Sequence, residues 1–228
     1  MVSSHIVKSY DEDLNYLRHK IKTMSHMAID QLKTSVDTVT KRDRQITSEI
    51  IAKDLFIDQI EHDIEAFAIR MIALRQPVAK DLRNIITALK VSNHLERIAD
   101  YATNIAKRSL NLAEHPYAAA SGALIKMSEK ASTMIQDVVT SYLEGDDEQA
   151  LNVWRRDQEL DEMYTSYLRE LLTYMMEEPR YISSNTQLLF MAKNIERIGD
   201  HTTNIAEMVY YLVYGQPFSE VRPKSDLE

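Results

Sequence analysis

The chain has 228 residues, a formal net charge of −8 and no cysteine. The missing thiols exclude disulfides and thiolate metal sites, and the negative charge makes nucleic acid and anionic lipid poor default partners. Hydrophobic residues at 44% suffice for a buried core, and only four Gly and five Pro favour long helices over frequent turns.

No apolar signal core follows Met1, and no window approaches the roughly 20 apolar residues that a membrane span needs, so a cytoplasmic chain is expected. The periodicity predicts six helices. The first runs from about Asp11 to Lys41, with apolar residues at Leu14, Leu17, Ile21, Met24, Ala28, Leu32 and Val36. Asp43 is positioned to cap the second, which carries Ile50, Ile51, Leu55, Ile60, Ile64, Phe67 and Met71. Pro77 marks a turn, because Gln76 before it is biased away from helix. The third helix continues to Leu112. The segment from Pro116 to Gly122 is a short connection of small residues, which sets units of 1–116 and 117–215, followed by a tail of 216–228.

In the second unit, a helix from Ala123 to Leu143 ends at Gly145, and Asp146 or Asp147 is placed to cap the next. That fifth helix stops near Met176, ahead of Pro179. The sixth spans about Ser184 to Tyr214, and Gly215 closes it. The fold class is all-α.

The two units repeat each other. Leu95-Glu96-Arg97-Ile98-Ala99-Asp100 returns 100 residues later as Ile195-Glu196-Arg197-Ile198-Gly199-Asp200, each followed by Thr-Asn-Ile-Ala after a short step. Asp54 and Asp58 find counterparts in Asp157 and Asp161, and Pro77 in Pro179. Three landmarks in the same order indicate an internal duplication. The apolar stripes either close one bundle each or merge into one elongated bundle.

The duplication preserves acids. Glu96 and Asp100 are i, i+4 neighbours on the shoulder of an apolar stripe, and Asp54 and Asp58 repeat that spacing on the preceding helix. Glu196, Asp200, Asp157 and Asp161 reproduce the set. Like charges at this spacing repel unless a cation relieves them. Read blandly, they are a solvated face neutralised by Arg97 and Arg197. Read functionally, they are hard oxygen donors suited to magnesium, calcium, manganese or iron, with zinc also accepted. No Glu-x-x-His is present, which counts against oxygen-activating di-iron chemistry. His94 and His201 lie beside the motif at non-corresponding positions. The repeated Asn104 and Asn204 sit one turn past each Asp. No Gly-rich phosphate loop and no Gly-x-Ser-x-Gly elbow is found.

These residues carry a resemblance. Glu96-Arg97-Ile98-Ala99-Asp100 and Glu196-Arg197-Ile198-Gly199-Asp200-His201, with Arg75-Gln76-Pro77-Val78-Ala79-Lys80-Asp81-Leu82-Arg83, resemble the doubled motif of the PhoU family and its turn into the third helix. The likeness spans about Asp11 to Gly215. It implies a pair of three-helix bundles and a cytoplasmic, non-enzymatic adaptor, homodimeric, that represses high-affinity phosphate uptake and the phosphate-starvation response. The implied partners are the ATPase subunit of a phosphate transporter and a sensor histidine kinase. It also implies a divalent cation or an iron or zinc cluster on Glu96, Asp100, Glu196 and Asp200, with Asp54, Asp58, Asp157 and Asp161 as weaker ligands. Repeat one departs from the family pattern at Ala99 and Tyr101, which favours the second site. The alternatives are a metal-dependent hydrolase or oxidase built on the carboxylates, and a phosphotransfer bundle using His62 or His94.

Overall fold

The computed structural model describes residues 2–41, 44–112 and 122–220. Within them lie α1 (Val2–Lys41), α2 (Arg44–Arg75), α3 (Lys80–Leu112), α4 (Gly122–Glu144), α5 (Asp147–Glu177) and α6 (Ile182–Tyr214), with a 3₁₀ turn at Pro179–Tyr181 and no strand among the described residues. Asp43 and the 116/117 boundary fall outside them. The first helix starts nine residues earlier than its periodicity required, since no Gly or Pro interrupts the chain before Pro77.

Each helix forms because one face is apolar at helical spacing. On α1 the fully buried Leu17, Ile21, Met24, Ala28, Leu32, Val36 and Val39 fall every three or four residues. Each large side chain so buried is worth on the order of 1.5–3 kcal/mol. Local signals set the ends. The Asp146 carboxylate accepts the Gln149 N–H at 3.0 Å and caps α5. At the end of α6, Gly215 takes φ 72° and its N–H bonds the Tyr211 carbonyl at 2.8 Å, a left-handed close that side chains resist. Gln76 leaves the helix, as its place before Pro77 predicts. It turns left-handed at φ 47°, and its N–H still bonds the Ile72 carbonyl at 3.1 Å, so it closes α2 as a cap.

Packing is hierarchical. α1, α2 and α3 pack on one another, as do α4, α5 and α6, and α3–α6 and α1–α4 contacts join the two sets. α2 and α5 lie on the flanks, touching no helix of the other repeat. α3 and α6 run antiparallel: His94 meets His201, and Arg108 donates to Gln187 at 3.1 Å. Each repeat thus closes its own three-helix bundle, and one apolar cluster runs through both, taking in Leu95, Ile98 and Ile105 of α3 with Ile195, Ile198 and Ile205 of α6.

Candidate metal-binding carboxylates

In repeat one, α2 presents Asp54 and Asp58 toward the face of α3 that carries Glu96 and Asp100. Gln31, buried on α1, ties the three helices together. Its amide donates to Asp54 at 2.8 Å, to the Ala99 carbonyl at 3.1 Å and to the Thr103 hydroxyl at 2.6 Å. The acids act on one another. Burial, then Asp100, and further Asp58, push the Glu96 carboxyl up to about 7, against the opposing pull of Arg97. Asp58 is raised by burial first, then by Asp54 and Asp100. Glu61, one turn along, is raised by burial and by Glu65. Arg97 is the bland reading's neutraliser, and it does lie between the two motif acids, 3.5 Å from Glu96 and 3.4 Å from Asp100, but its side chain is more than half exposed. Screening by water leaves such a pair weak.

Repeat two solves the same problem differently. Asp157 and Glu196 are buried, at 1% and 6% exposure, while Asp161 and Asp200 are half-buried. The Lys193 ammonium donates to Glu196 at 2.8 Å and lies 5.2 Å from the Tyr164 ring centre. Repeat one has Asn93 at the position of Lys193, so it lacks this ammonium. Gly199 gives a physical reason for the one sequence difference between the motif's Glu and Asp, where repeat one has Ala99. A Cβ there would stand 2.7 Å from Leu160 Cδ2 and closer still to the Asp157 carboxylate. α5 approaches α6 closely enough to seat Asp157 only because position 199 has no side chain.

The structure therefore brings Glu96, Asp100, Asp54 and Asp58 into one electrostatic group, and places their counterparts on the facing sides of α5 and α6. Among the described residues no three His, Asp or Glu side chains converge at metal-ligand spacing. The donors match a hard cation in chemistry, without a ready-formed cage. Asn104 is exposed and Asn204 half-buried. Gln31 and Lys193 were missed at the sequence level. An isolated Gln on an amphipathic helix has no pattern, whereas Lys193, three residues before Glu196, was open to charge spacing.

Between the two repeats lies a second polar feature. The half-buried His94 and His201 touch through Nδ1 atoms 3.0 Å apart, and the Tyr101 ring lies 5.6 Å from that of His201. Burial first, then His201 and Lys90, pull His94 down to about 4. His201 is lowered by burial and by Arg97 and Arg197, with Asp200 opposing. No helix among the described residues is long and apolar enough to cross a membrane.

Comparison with known proteins adds a lineage to this geometry. The PhoU domain matches the chain twice, over residues 21–109 and 124–209. A phosphate-specific transport system accessory protein PhoU homolog of Caulobacter vibrioides is 42% identical over 227 residues, covering 99% of each chain. The phosphate-specific transport system accessory protein PhoU of Escherichia coli (strain K12) is 32% identical over 220 residues, covering 96% of this chain and 91% of that one. The crystal structure of PhoU from Pseudomonas aeruginosa aligns with a TM-score of 0.86 at 34% identity, covering 91% of this chain and 100% of that one.

Proposed function

This chain belongs to the PhoU family, and from that premise we propose that it is a regulatory adaptor of a phosphate transport system, acting without turnover of its own. The observation that carries the reading is the doubled PhoU domain on a chain alike over its full length to accessory proteins of phosphate-specific transport. The finer reading is that it works on the cytoplasmic side as a homodimer. There it holds the transporter's ATPase subunit and a sensor histidine kinase in their repressed states when phosphate is plentiful. Such regulation requires different affinities for the two states of each partner. Surface is available for partners: among the described residues α2 packs only on α1 and α3 and leaves Ile51, Leu55 and Ile69 exposed.

The carboxylates belong to this reading as cation ligands. Glu96 and Asp100, helped by Asp54 and Asp58, would hold the ion in repeat one, and Glu196 and Asp200, with Asp157 and Asp161, in repeat two. A bound ion supplies positive charge where the acids destabilise one another. Repeat one has the larger need, because its Glu96 lacks the ammonium that Lys193 gives Glu196.

The test is a phosphate-starvation reporter in a deletion strain grown with ample phosphate. The strain is complemented with wild type or with a folded Glu96→Gln, Asp100→Asn, Glu196→Gln, Asp200→Asn variant. Repression restored by wild type alone supports both the adaptor role and the acids' part in it. Repression restored by both proteins keeps the adaptor role and removes the acids from signalling. A reporter silent in the deletion strain overturns the phosphate reading. One observation favours the enzyme alternative: a carboxyl held near neutrality, as at Glu96, is a competent general acid or base. Metal-dependent turnover of a phosphoester, abolished by Glu96→Gln, would establish it.

A further inference from the structure

The two repeats are unequal in their first helix. Ile21, Met24, Ala28, Leu32 and Val36 of α1 return 103 residues later as Leu124, Met127, Ala131, Ile135 and Val139 of α4, all of them buried. In this register α4 begins at Gly122, the counterpart of His19, so residues 2–18 of α1 have no equivalent in it. In repeat one the end of that stretch covers α2. Asp13 pairs with Arg75 at 2.5 Å, and Tyr16 lies on Phe67 with ring centres 4.5 Å apart. One turn further on, Lys20 donates to Asp63 at 3.1 Å and bridges α1 to α2.

Repeat two lacks each of these closures. The same register puts Ala123 where Lys20 stands, Ser166 where Asp63 stands, and Glu170 where Phe67 stands. A groove of about 720 Å³ is left between the start of α4 and the middle of α5. Met127, Met163 and Tyr167 supply its apolar lining, with Met127 and Tyr167 buried. Glu159, Glu162 and Glu170 line it against one cation among the described residues, Lys126. Glu159 is paired with Lys130. Glu162 and Glu170 are exposed and enter no ion pair among the described residues. The groove is on the α4 side of α5, whereas Asp157 faces Gly199 on α6.

We propose that this groove docks a basic amphipathic helix of a partner protein, lying along α5 as residues 10–20 of α1 lie along α2. The mode is helix-in-groove, and the chain supplies its own template, because a helix already closes the matching face of repeat one. The substitutions set the chemistry. Phe67 receives an aromatic ring, but Glu170 in its place calls for a cation. Ala123 and Ser166 leave depth for an apolar side chain over the methionines, which adapt to varied shapes. Glu162 and Glu170 are eight residues apart, which is about 12 Å along a helix axis. Lys or Arg residues two turns apart on the occupant, flanking an apolar anchor, match that spacing. An acidic helix is repelled, and a wholly apolar one leaves both carboxylates desolvated and unpaired. The chain's own residues 10–20 carry Asp11, Glu12 and Asp13 against Arg18 and Lys20, so α1 of a second copy is the poorer occupant. The site adds a contact surface to the adaptor reading without resting on it.

Fluorescence anisotropy of the full-length chain with labelled model helices is the test. One helix carries Leu on one face and Lys on both flanks. A second replaces every Lys with Glu, and a third is residues 2–20 of this chain. Wild type is expected to prefer the Lys helix, with an affinity that falls as NaCl is added. Glu162→Lys combined with Glu170→Lys reverses two ion pairs and should weaken that binding by about tenfold or more. Ala123→Lys combined with Ser166→Asp installs the bridge of repeat one and should block the groove. Glu49→Lys, on α2, should bind as wild type does. Circular dichroism checks folding, and the charge-reversed variant carries the test if the bridged one does not fold. No binding of the Lys helix, equal binding of the Lys and Glu helices, or binding unchanged in the charge-reversed variant would each overturn the site. Tighter binding of residues 2–20 would overturn the assigned occupant in favour of a second copy of this chain.

Discussion

Gly199 and Ala99 occupy the same place in the two repeats, and the difference of one methyl group has a defined cost. At Gly199 an added Cβ meets Leu160 at 2.7 Å and the buried Asp157 carboxylate, so either α5 retreats or both side chains leave their positions. Overpacking of this kind costs about 1–3 kcal/mol. Gly199→Ala should lower the urea midpoint accordingly, although alanine is the better helix former by about 1 kcal/mol. An unchanged midpoint would mean that the α5–α6 approach is looser than this geometry. Tyrosine gives a second test. Burial first, then the Asp81 charge, push Tyr10 up to about 12, and burial raises Tyr142 further. A phenol whose folded pKa lies above its unfolded value of 10 adds stability that is complete below pH 10. That stability is lost as the pH climbs through the folded value. Phenolate absorbance should therefore show late-ionising groups above pH 11, one of them removed by Tyr142→Phe, with stability declining in the same window. Ionisation of every tyrosine together near pH 10 would contradict the burial of Tyr142.

Caps and stripes act at the scale of the helix. Asp146 is the N-cap of a 31-residue helix, and its carboxylate satisfies the Gln149 N–H. Asp146→Ala should cost about 1 kcal/mol, which for a chain of this size is a fall of about 2–4 °C in Tm. Asp146→Asn should restore most of it, because the amide oxygen accepts the same bond. Features of this kind were legible in the sequence because their causes are local. The apolar spacing along α1, the Gly at 215 and the Asp at 146 each act within one or two turns of their own position. The acidic repeat was legible because copying marked it twice. Two other features were not legible. Gln31 joins Asp54 to Thr103 through a contact that spans three helices, and a lone Gln carries no spacing to show it. The turn at Gln76 was legible but its left-handed backbone was not, because the bond from its N–H back to the Ile72 carbonyl at the last turn of α2 has no sequence signal.

For the whole molecule, the decisive contact is the least local. His94 and His201 are 107 residues apart in sequence, and nothing near either one announces the other. Only the antiparallel packing of α3 on α6 makes them neighbours, and the same packing merges the two apolar stripes into one core. A duplicated sequence suggests two units that fold separately, but the buried faces argue for one. On α3, Leu95, Ile98 and Ile105 belong to the same buried cluster as Ile195, Ile198 and Ile205 of α6, and a repeat cut away from its partner would expose part of that surface to water. At about 25 cal/mol per Å² of apolar area, baring even two such side chains removes several kcal/mol, a large part of the about 5–15 kcal/mol that holds a typical domain folded. The full chain should therefore unfold in urea in a single transition, with helicity and Trp154 fluorescence superimposing, although Trp154 lies only in the second repeat. Fragment 1–116 should show reduced helicity and no cooperative melt. If Trp154 reports a midpoint distinct from that of total helicity, the repeats unfold independently and the shared core contributes little. If the midpoints coincide, a partner that acts on the α3–α6 seam acts on the stability of the whole chain.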